Sequence, residues 1–247
     1  MQIRRAIGLA TYNRSENLEQ ILSSIIDTAP PDCKIIVADD GSTDNTSEIV
    51  KKFPVIYIRG KNLGVAANKN RVLFAAQDCQ FIAILEDDLC PIEKEWFNCY
   101  EQATILSEIH HFCRVQDRDV PEILPEFSAF MAENSCTPIY GPSPRGDLTF
   151  ISSLVLNRVG AFNPRFRGAG YAHGEFSERV FRAGLIKHPL KWVDIQEARD
   201  KFKQVGDTEG GRWKEHKKKI DAQIAANRKI RKELDATDYT YCPLTLE

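Results

Sequence analysis

The chain has 247 residues, 43% of them hydrophobic and 28% charged, with a formal net charge of −2; that is the profile of a soluble domain able to bury a core, and it argues against generic nucleic-acid binding. No apolar run approaches the roughly 20 residues of a membrane helix, and the start MQIRRAIGLATYNR lacks a secretory apolar segment. Seven scattered cysteines show neither zinc-site pairing nor a disulfide framework, so a reducing cytoplasm is the expected compartment.

Ala6–Ala10 (AIGLA) reads as a buried strand. Leu18, Ile21, Leu22, Ile25 and Ile26 then recur at i, i+3, i+4, i+7 and i+8, which predicts an amphipathic helix. Asn13 or Ser15 is its expected cap, with Glu16 in the first turn. Lys34–Ala38 (KIIVA) predicts a second strand, followed by the turn-rich DDGSTDNT and a short helix bearing Ile49, Val50 and Phe53. Val55–Ile58 is the third strand. After GKNLG a helix runs from about Val65 to Ala76, and Phe81–Leu85 is the fourth strand. Strand, loop and helix in repetition imply a parallel sheet with right-handed crossovers, whose ligands bind at the carboxyl ends of the strands.

Those ends gather polar residues: Thr11, Tyr12, Asn13 and Arg14 after the first strand, Asp39 and Asp40 after the second, Glu86, Asp87 and Asp88 after the fourth. Three adjacent carboxylates repel one another, so something outside the segment must compensate them. In an extended chain Glu86 and Asp88 project to one side and Asp87 to the other. Two carboxylates on one side suit a hard cation, Mn²⁺ or Mg²⁺; a solvated loop that merely ends a strand is the alternative. No G-x-G-x-x-G follows the first strand, GAGYAHG (Gly168–Gly174) has the wrong spacing, and G-x-x-x-x-G-K-[ST] is absent. A dinucleotide oxidoreductase or P-loop NTPase is thereby disfavoured, and a metal becomes the natural diphosphate clamp.

LATYNRSENLEQILSSI, IIVADDGSTDNT, NLGVAANKNRVL and FIAILEDDL stand in the order and spacing of family 2 glycosyltransferases. The chain resembles a compact member of that family from about Ile7 to Gly184. The resemblance implies a GT-A fold: one α/β, Rossmann-like domain over 1–200, mostly parallel, with a basic helical tail at 201–247. Within it, 1–91 is the nucleotide-binding half and 92–200 the acceptor and catalytic half. It also implies an inverting transfer from a nucleoside-diphosphate sugar, most readily a UDP-sugar, to an acceptor hydroxyl, dependent on Mn²⁺ or Mg²⁺. Residue by residue, Thr11–Arg14 resemble the loop lining the nucleobase, and Asp39 and Asp40 the acidic pair of which one accepts a hydrogen bond from the base. Asn68 and Arg71 resemble the helix facing the nucleotide, with Gly64 allowing close approach. Glu86-Asp87-Asp88 takes the D-x-D position, Asp87 toward the ribose and Asp88 on the metal, with glutamate first where aspartate is commoner.

Trp96, Phe97, Tyr100 and Ala103 predict a helix after this motif, and proline-rich Arg114–Pro144 reads as loops and short elements on the acceptor side. GDLTFISSLVLNRVGAFNPRF resembles the strand and helix that lead to the family's catalytic helix, with Gly146 and Asp147 facing the sugar. Relatives usually carry G-E-D shortly before a helix ending in R-A-G. Anchored on Arg179 and Arg182-Ala183-Gly184, that pair falls on Ala172 and His173, with Glu175 two residues on. A helix N-terminus keeps a carboxylate ionised and a histidine neutral, and a neutral imidazole is a competent base near pH 7. His173 and Glu175 together are therefore the expected base region; for His173, completing the metal site, bonding the acceptor or capping the helix are the alternatives. His110-His111 reads as a surface pair. His188 and Asp194 stand where some GT-A enzymes place a last metal ligand.

Arg212–Glu233 (RWKEHKKKIDAQIAANRKIRKE) carries nine Lys/Arg and three Asp/Glu, a net +6, on a predicted helix with a thin apolar stripe of Ile220, Ile224 and Trp213. Packing on the domain edge is the favoured reading, and peripheral contact with an anionic membrane surface is the alternative. Two rivals to the transferase stand beside it. A sugar nucleotidyltransferase would need a Gly- and Arg-rich loop where TYNRSENL stands, and a non-catalytic nucleotide-sugar-binding module would account for the missing Glu-Asp pair. Neither the acceptor nor the oligomeric state is legible.

Overall fold

The computed structural model describes residues 4–105, 107–111, 137–140, 146–168, 170–186, 193–206, 211–237 and 239–245. In chain order these form β1 (Arg5–Thr11), α1 (Ser15–Thr28), β2 (Cys33–Asp39), α2 (Thr46–Val50), β3 (Ile56–Arg59), α3 (Val65–Ala75), β4 (Phe81–Glu86) and β5 (Leu89–Pro91). There follow α4 (Trp96–Ala103), β6 (Ile109–His111), β7 (Pro138–Tyr140), β8 (Leu148–Ser152), α5 (Ser153–Val159), α6 (Ala172–Arg182), β9 (Val193–Ile195), α7 (Gln196–Arg199), β10 (Phe202–Gln204) and α8 (Gly211–Asp235).

The central sheet has the order β3-β2-β1-β4-β8-β6. Its first four strands are mutually parallel, and β8 runs antiparallel to both β4 and β6. This is the mixed α/β, mostly parallel arrangement that the repeating pattern predicts. The third strand begins one residue later than expected, at Ile56. Most of Arg114–Pro144 lies outside the described residues, as do His188 and the side chain of Trp213.

Alternation along the strands sorts the core into two halves. Ile7, Leu9, Val37, Ala83, Leu85 and Phe150 face α1 and α4. Ala6, Ile36, Ala38, Ile82, Ile84 and Ile151 face α3, α5 and α6. Gly8 is required between them: a β-carbon there would lie 2.1 Å from Val72 Cγ1, so only glycine lets α3 lie down on β1. α1 buries the predicted stripe of Leu18, Ile21, Leu22 and Ile25. Its cap departs from expectation. Neither Asn13 nor Ser15 caps it; Asp44, from the loop after β2, accepts from Ser15 N at 3.0 Å. Asn13 instead turns away at φ 51° and its side chain accepts from Thr43 N at 2.8 Å, tying the β1 loop to the β2 loop.

α8 docks on the segment that leads into α6. Asn227 Nδ2 donates to Arg167 O and Gly170 O at 3.0 and 3.1 Å, and Ile230 and Leu234 pack on the second core half. Its inner stripe is therefore longer than Ile220 and Ile224 alone. Among the described residues, no helix is long and apolar enough to cross a membrane.

Candidate active site

β4 ends in Glu86, and the chain turns at Asp87 and Asp88 before β5. Glu86 continues the face of Ile82 and Ile84, so its side chain enters the side covered by α3 and α6. On β8, Thr149 stands opposite Ile84, and two positions further on Glu86 N donates to Asp147 O at 2.9 Å. The antiparallel register thus delivers Asp147 beside Glu86. Glu86, Asp88 and Asp147 each offer a carboxylate oxygen, and the three oxygens lie within 4.8 Å of one another. Hard oxygen donors at that spacing fit Mg²⁺ or Mn²⁺. Asp87 points the other way, as alternation predicts. It accepts from Thr11 Oγ1 at 2.7 Å and Tyr12 N at 3.2 Å, with Arg14 Nε 3.7 Å away. Burial pushes its carboxyl up to about 6; Arg14 and Thr11 oppose the shift, and Glu86 adds to it.

Behind the acids stands a residue that the sequence reading passed over. The Lys69 side chain, on α3, is closed to solvent, with Nζ 2.8 Å from Glu86 Oε1, 2.8 Å from Gly146 O and 3.1 Å from His173 Nε2. An ammonium has three N–H groups and no lone pair, so all three donors are committed. His173 Nε2 must then be the acceptor, and its proton sits on Nδ1, 3.3 Å from Thr149 Oγ1. Burial, then Lys69, then His111 hold the imidazole well below its usual pKa. A neutral His173 is what the helix-start argument anticipates, but burial and a lysine are the main causes.

His110 and His111 are a correction: both are fully buried on β6 rather than exposed. Register puts His111 opposite Thr149 and His110 opposite Phe150, so the pair splits between the two core halves. His111 Nε2 meets Ser177 Oγ at 2.6 Å, and its ring lies edge-on to His173. Glu175 is not brought into the cluster. Both its oxygens bind Arg179, at 2.5 and 3.0 Å, and Arg179 also donates to Val159 O and Ala161 O. Asp194 is equally enclosed, accepting from the Tyr100 hydroxyl at 2.6 Å.

The other strand ends carry a polar frame. Asp39 is fully buried and accepts from Ser42 N at 2.7 Å and the Tyr57 hydroxyl at 2.6 Å. Asp40 accepts from Leu63 N, Gly64 N and Arg71 Nη1, at 3.1, 2.8 and 2.9 Å. Arg71 also reaches Asn68 Oδ1 and Lys61 O, and a β-carbon at Gly60 would collide with its guanidinium at 2.3 Å. Asn68 Nδ2 staples Ala38 O, at 2.8 Å, to Thr11 O, at 3.3 Å. The frame thus holds the loop of Tyr12, Asn13 and Arg14, of which Tyr12 is 43% exposed. Four consecutive polar residues, Asn68 to Arg71, are all buried on α3. That run inside a helix pressed on a sheet was the signal for Lys69.

Residues 6–105 match the family model described as glycosyl transferase family 2. Over that segment the chain is similar to glycosyl transferase family 2. The chondroitin synthase of Escherichia coli is 37% identical over 93 residues, which cover 35% of this chain and 13% of that one. The chain spans only 11% to 33% of the length of the first curated relatives it matches. Among solved structures, S. aureus TarS 1–349 in complex with UDP superposes with a TM-score of 0.54 at 17% identity, covering 73% of this chain and 55% of that one. Glucosyl-3-phosphoglycerate synthase from Mycobacterium tuberculosis, with Mn²⁺, UDP and phosphoglyceric acid, gives 0.53 at 18%, covering 74% and 66%. At these identities the likeness establishes the fold, and that fold is GT-A. A GT-A fold also explains why the acids gather at the strand ends.

Proposed function

We propose that this protein is an inverting glycosyltransferase that moves a sugar from a nucleoside diphosphate, UDP in the first instance, to an acceptor hydroxyl. The observation that carries the reading is the meeting of Glu86, Asp88 and Asp147 within 4.8 Å, beside the loop framed by Asp40 and Arg71. UDP is favoured because it is bound in two of the proteins that share the fold. The base stacks on the exposed ring of Tyr12, beside Asn13 and Arg14. Asp39 and Asp40 shape that pocket from beneath, with Gly64, Asn68 and Arg71 holding its floor. Asp87 receives the ribose hydroxyls. Asp88 and Asp147 are the residues that hold Mn²⁺ or Mg²⁺, which when bound would neutralise the diphosphate and stabilise it as a leaving group.

The acceptor hydroxyl loses its proton to the Glu86 carboxylate, which Lys69 holds in place with His173 behind it. Glu86 is the member open to the cleft, with 30% of its side chain exposed, and His173 is neutral behind it. Glu175 takes no part in this step because its carboxylate is tied to Arg179. We place the protein in the cytoplasm, with the basic outer face of α8 able to meet an anionic membrane surface.

Thermal unfolding with UDP, GDP, dTDP and CDP, each with and without Mn²⁺, tests the donor site. A ligand at about 100 times its Kd adds about 2.7 kcal/mol, a shift of roughly 5–10 °C for a chain of this size. A shift for one nucleotide that requires Mn²⁺ is the expected outcome. Flat curves for all four, with or without metal, would remove the basis for this reading.

A further inference from the structure

The acid cluster contains three carboxylates but is built asymmetrically, and Lys69 is the cause. Its Nζ lies 2.8 Å from Glu86 Oε1, one carboxylate of the three that converge there. The ammonium cannot swing away: its other two donors are fixed on Gly146 O, a backbone atom, and His173 Nε2, at 2.8 and 3.1 Å. The space around it is closed as well. A β-carbon on Gly146 would lie 2.6 Å from both Glu86 Oε1 and His173 Nε2, so the three groups fill the volume beside that glycine.

We propose that Lys69 is a positioning residue that withholds Glu86 from the cation, dividing the cluster into a metal-binding pair, Asp88 and Asp147, and a Lys69-bound Glu86 turned to the acceptor side. The inference rests on the reading of these acids as a metal site and deepens it. The physical ground is simple. A dication bound directly to Glu86 would sit within a few ångströms of a desolvated ammonium that has no water to screen it. The same carboxylate cannot satisfy both cations as well as it satisfies one. His173 contributes by keeping the lysine in place: its Nε2 lone pair takes the third N–H, which would otherwise be buried without an acceptor. Glutamate in the first place of the acidic triplet then has a reason. Its added methylene lets the carboxylate reach back to α3, while Asp88 remains at the turn.

The test is Mn²⁺ affinity, read as loss of the free Mn(II) electron paramagnetic resonance signal on titration, which needs no substrate or turnover. Lys69→Met should tighten binding about ten-fold or more, because it removes a cation and releases a third carboxylate. Lys69→Arg, which keeps the charge, and Lys69→Met/Glu86→Gln, which removes both partners, should each stay within about three-fold of the parent. Tight binding by the double variant as well would mean that Glu86 is not the released ligand, and would overturn the proposal. If the parent binds no Mn²⁺ and Lys69→Met gains it, the metal reading of the parent fails but the role of Lys69 stands. Equal affinity in parent and Lys69→Met, or no binding by either, overturns the role of Lys69. Should Lys69→Met fail to fold, ¹⁵N resonances of the parent's imidazoles decide: His173 should carry its proton on Nδ1. A proton on Nε2 would show that Lys69 does not donate there, and the proposal would fall.

Discussion

Gly146 shows how tightly single residues determine this site. It lies just before β8, outside the left-handed region, so its need for glycine is one of space alone. A methyl group there would press on Glu86 and His173 at once, both at 2.6 Å. On the proposed function, Gly146→Ala should therefore lower kcat by about 10²-fold, the effect of moving the proposed reacting groups by about 1 Å, while the proposed nucleotide site around Asp40 and Tyr12 stays intact. Comparing kcat with the Kd for UDP, measured by calorimetry, checks this; an equal loss in both would point to general collapse. Much at this scale was legible beforehand. Alternation separated Asp87 from Glu86 and Asp88, and the turn residues between β4 and β5 preserved that separation. Asp147 was read only as facing the sugar, because its meeting with Glu86 depends on the β4–β8 register, a pairing across some sixty residues that no local pattern encodes. Lys69 was missed for a related reason. A charged residue is expected on the outside of a helix, and only the tertiary contact with Glu86 compensates its burial.

At the scale of elements, α6 carries two residues that looked equivalent in sequence and are not. His173 faces the acids, whereas Glu175 turns inward and binds Arg179, which clamps the end of α5 through Val159 O and Ala161 O. The helix start could not distinguish their surroundings, because both positions lie in its first turn and the dipole acts on each. Breaking a buried pair by neutralising one partner costs about 3–5 kcal/mol. Glu175→Gln should lower Tm by roughly 6–20 °C. Activity per folded molecule, assayed well below the new Tm, should change less than two-fold. Retained stability with lost turnover would instead return Glu175 to the base region. The His110-His111 pair carries the same lesson. Two adjacent histidines look like a polar tip, yet on a strand between two packed faces each enters a different core half, a placement that depends on β6 pairing with β8. Strands of three residues, such as β6, give too short a pattern for that pairing to be read from sequence.

At the scale of the whole molecule, charge is distributed more unevenly than its total of −2 suggests. α8 binds the domain through Asn227, Ile230 and Leu234, and exposes Lys217, Lys218, Lys219, Lys229 and Lys232. Two of its acids are already ion-paired, Glu233 with Arg165 and Asp235 with Arg231. Each basic residue near an anionic leaflet contributes about 1 kcal/mol, decaying over a Debye length of about 8–10 Å at physiological salt. Among the described side chains the outer face offers only Ala222, Ala225 and Ala226 for insertion, so attachment through them would be electrostatic and reversible. The expected result is co-sedimentation with phosphatidylglycerol-containing vesicles at about 50 mM salt and release by about 0.5 M. Pure phosphatidylcholine should retain nothing. Charge reversal of Lys217, Lys218 and Lys229 should abolish retention while leaving Tm and the nucleotide shift unchanged, because these side chains point away from the docked face. If the reversed protein still sediments with anionic vesicles, the contact lies elsewhere and α8 serves only to brace the segment before His173.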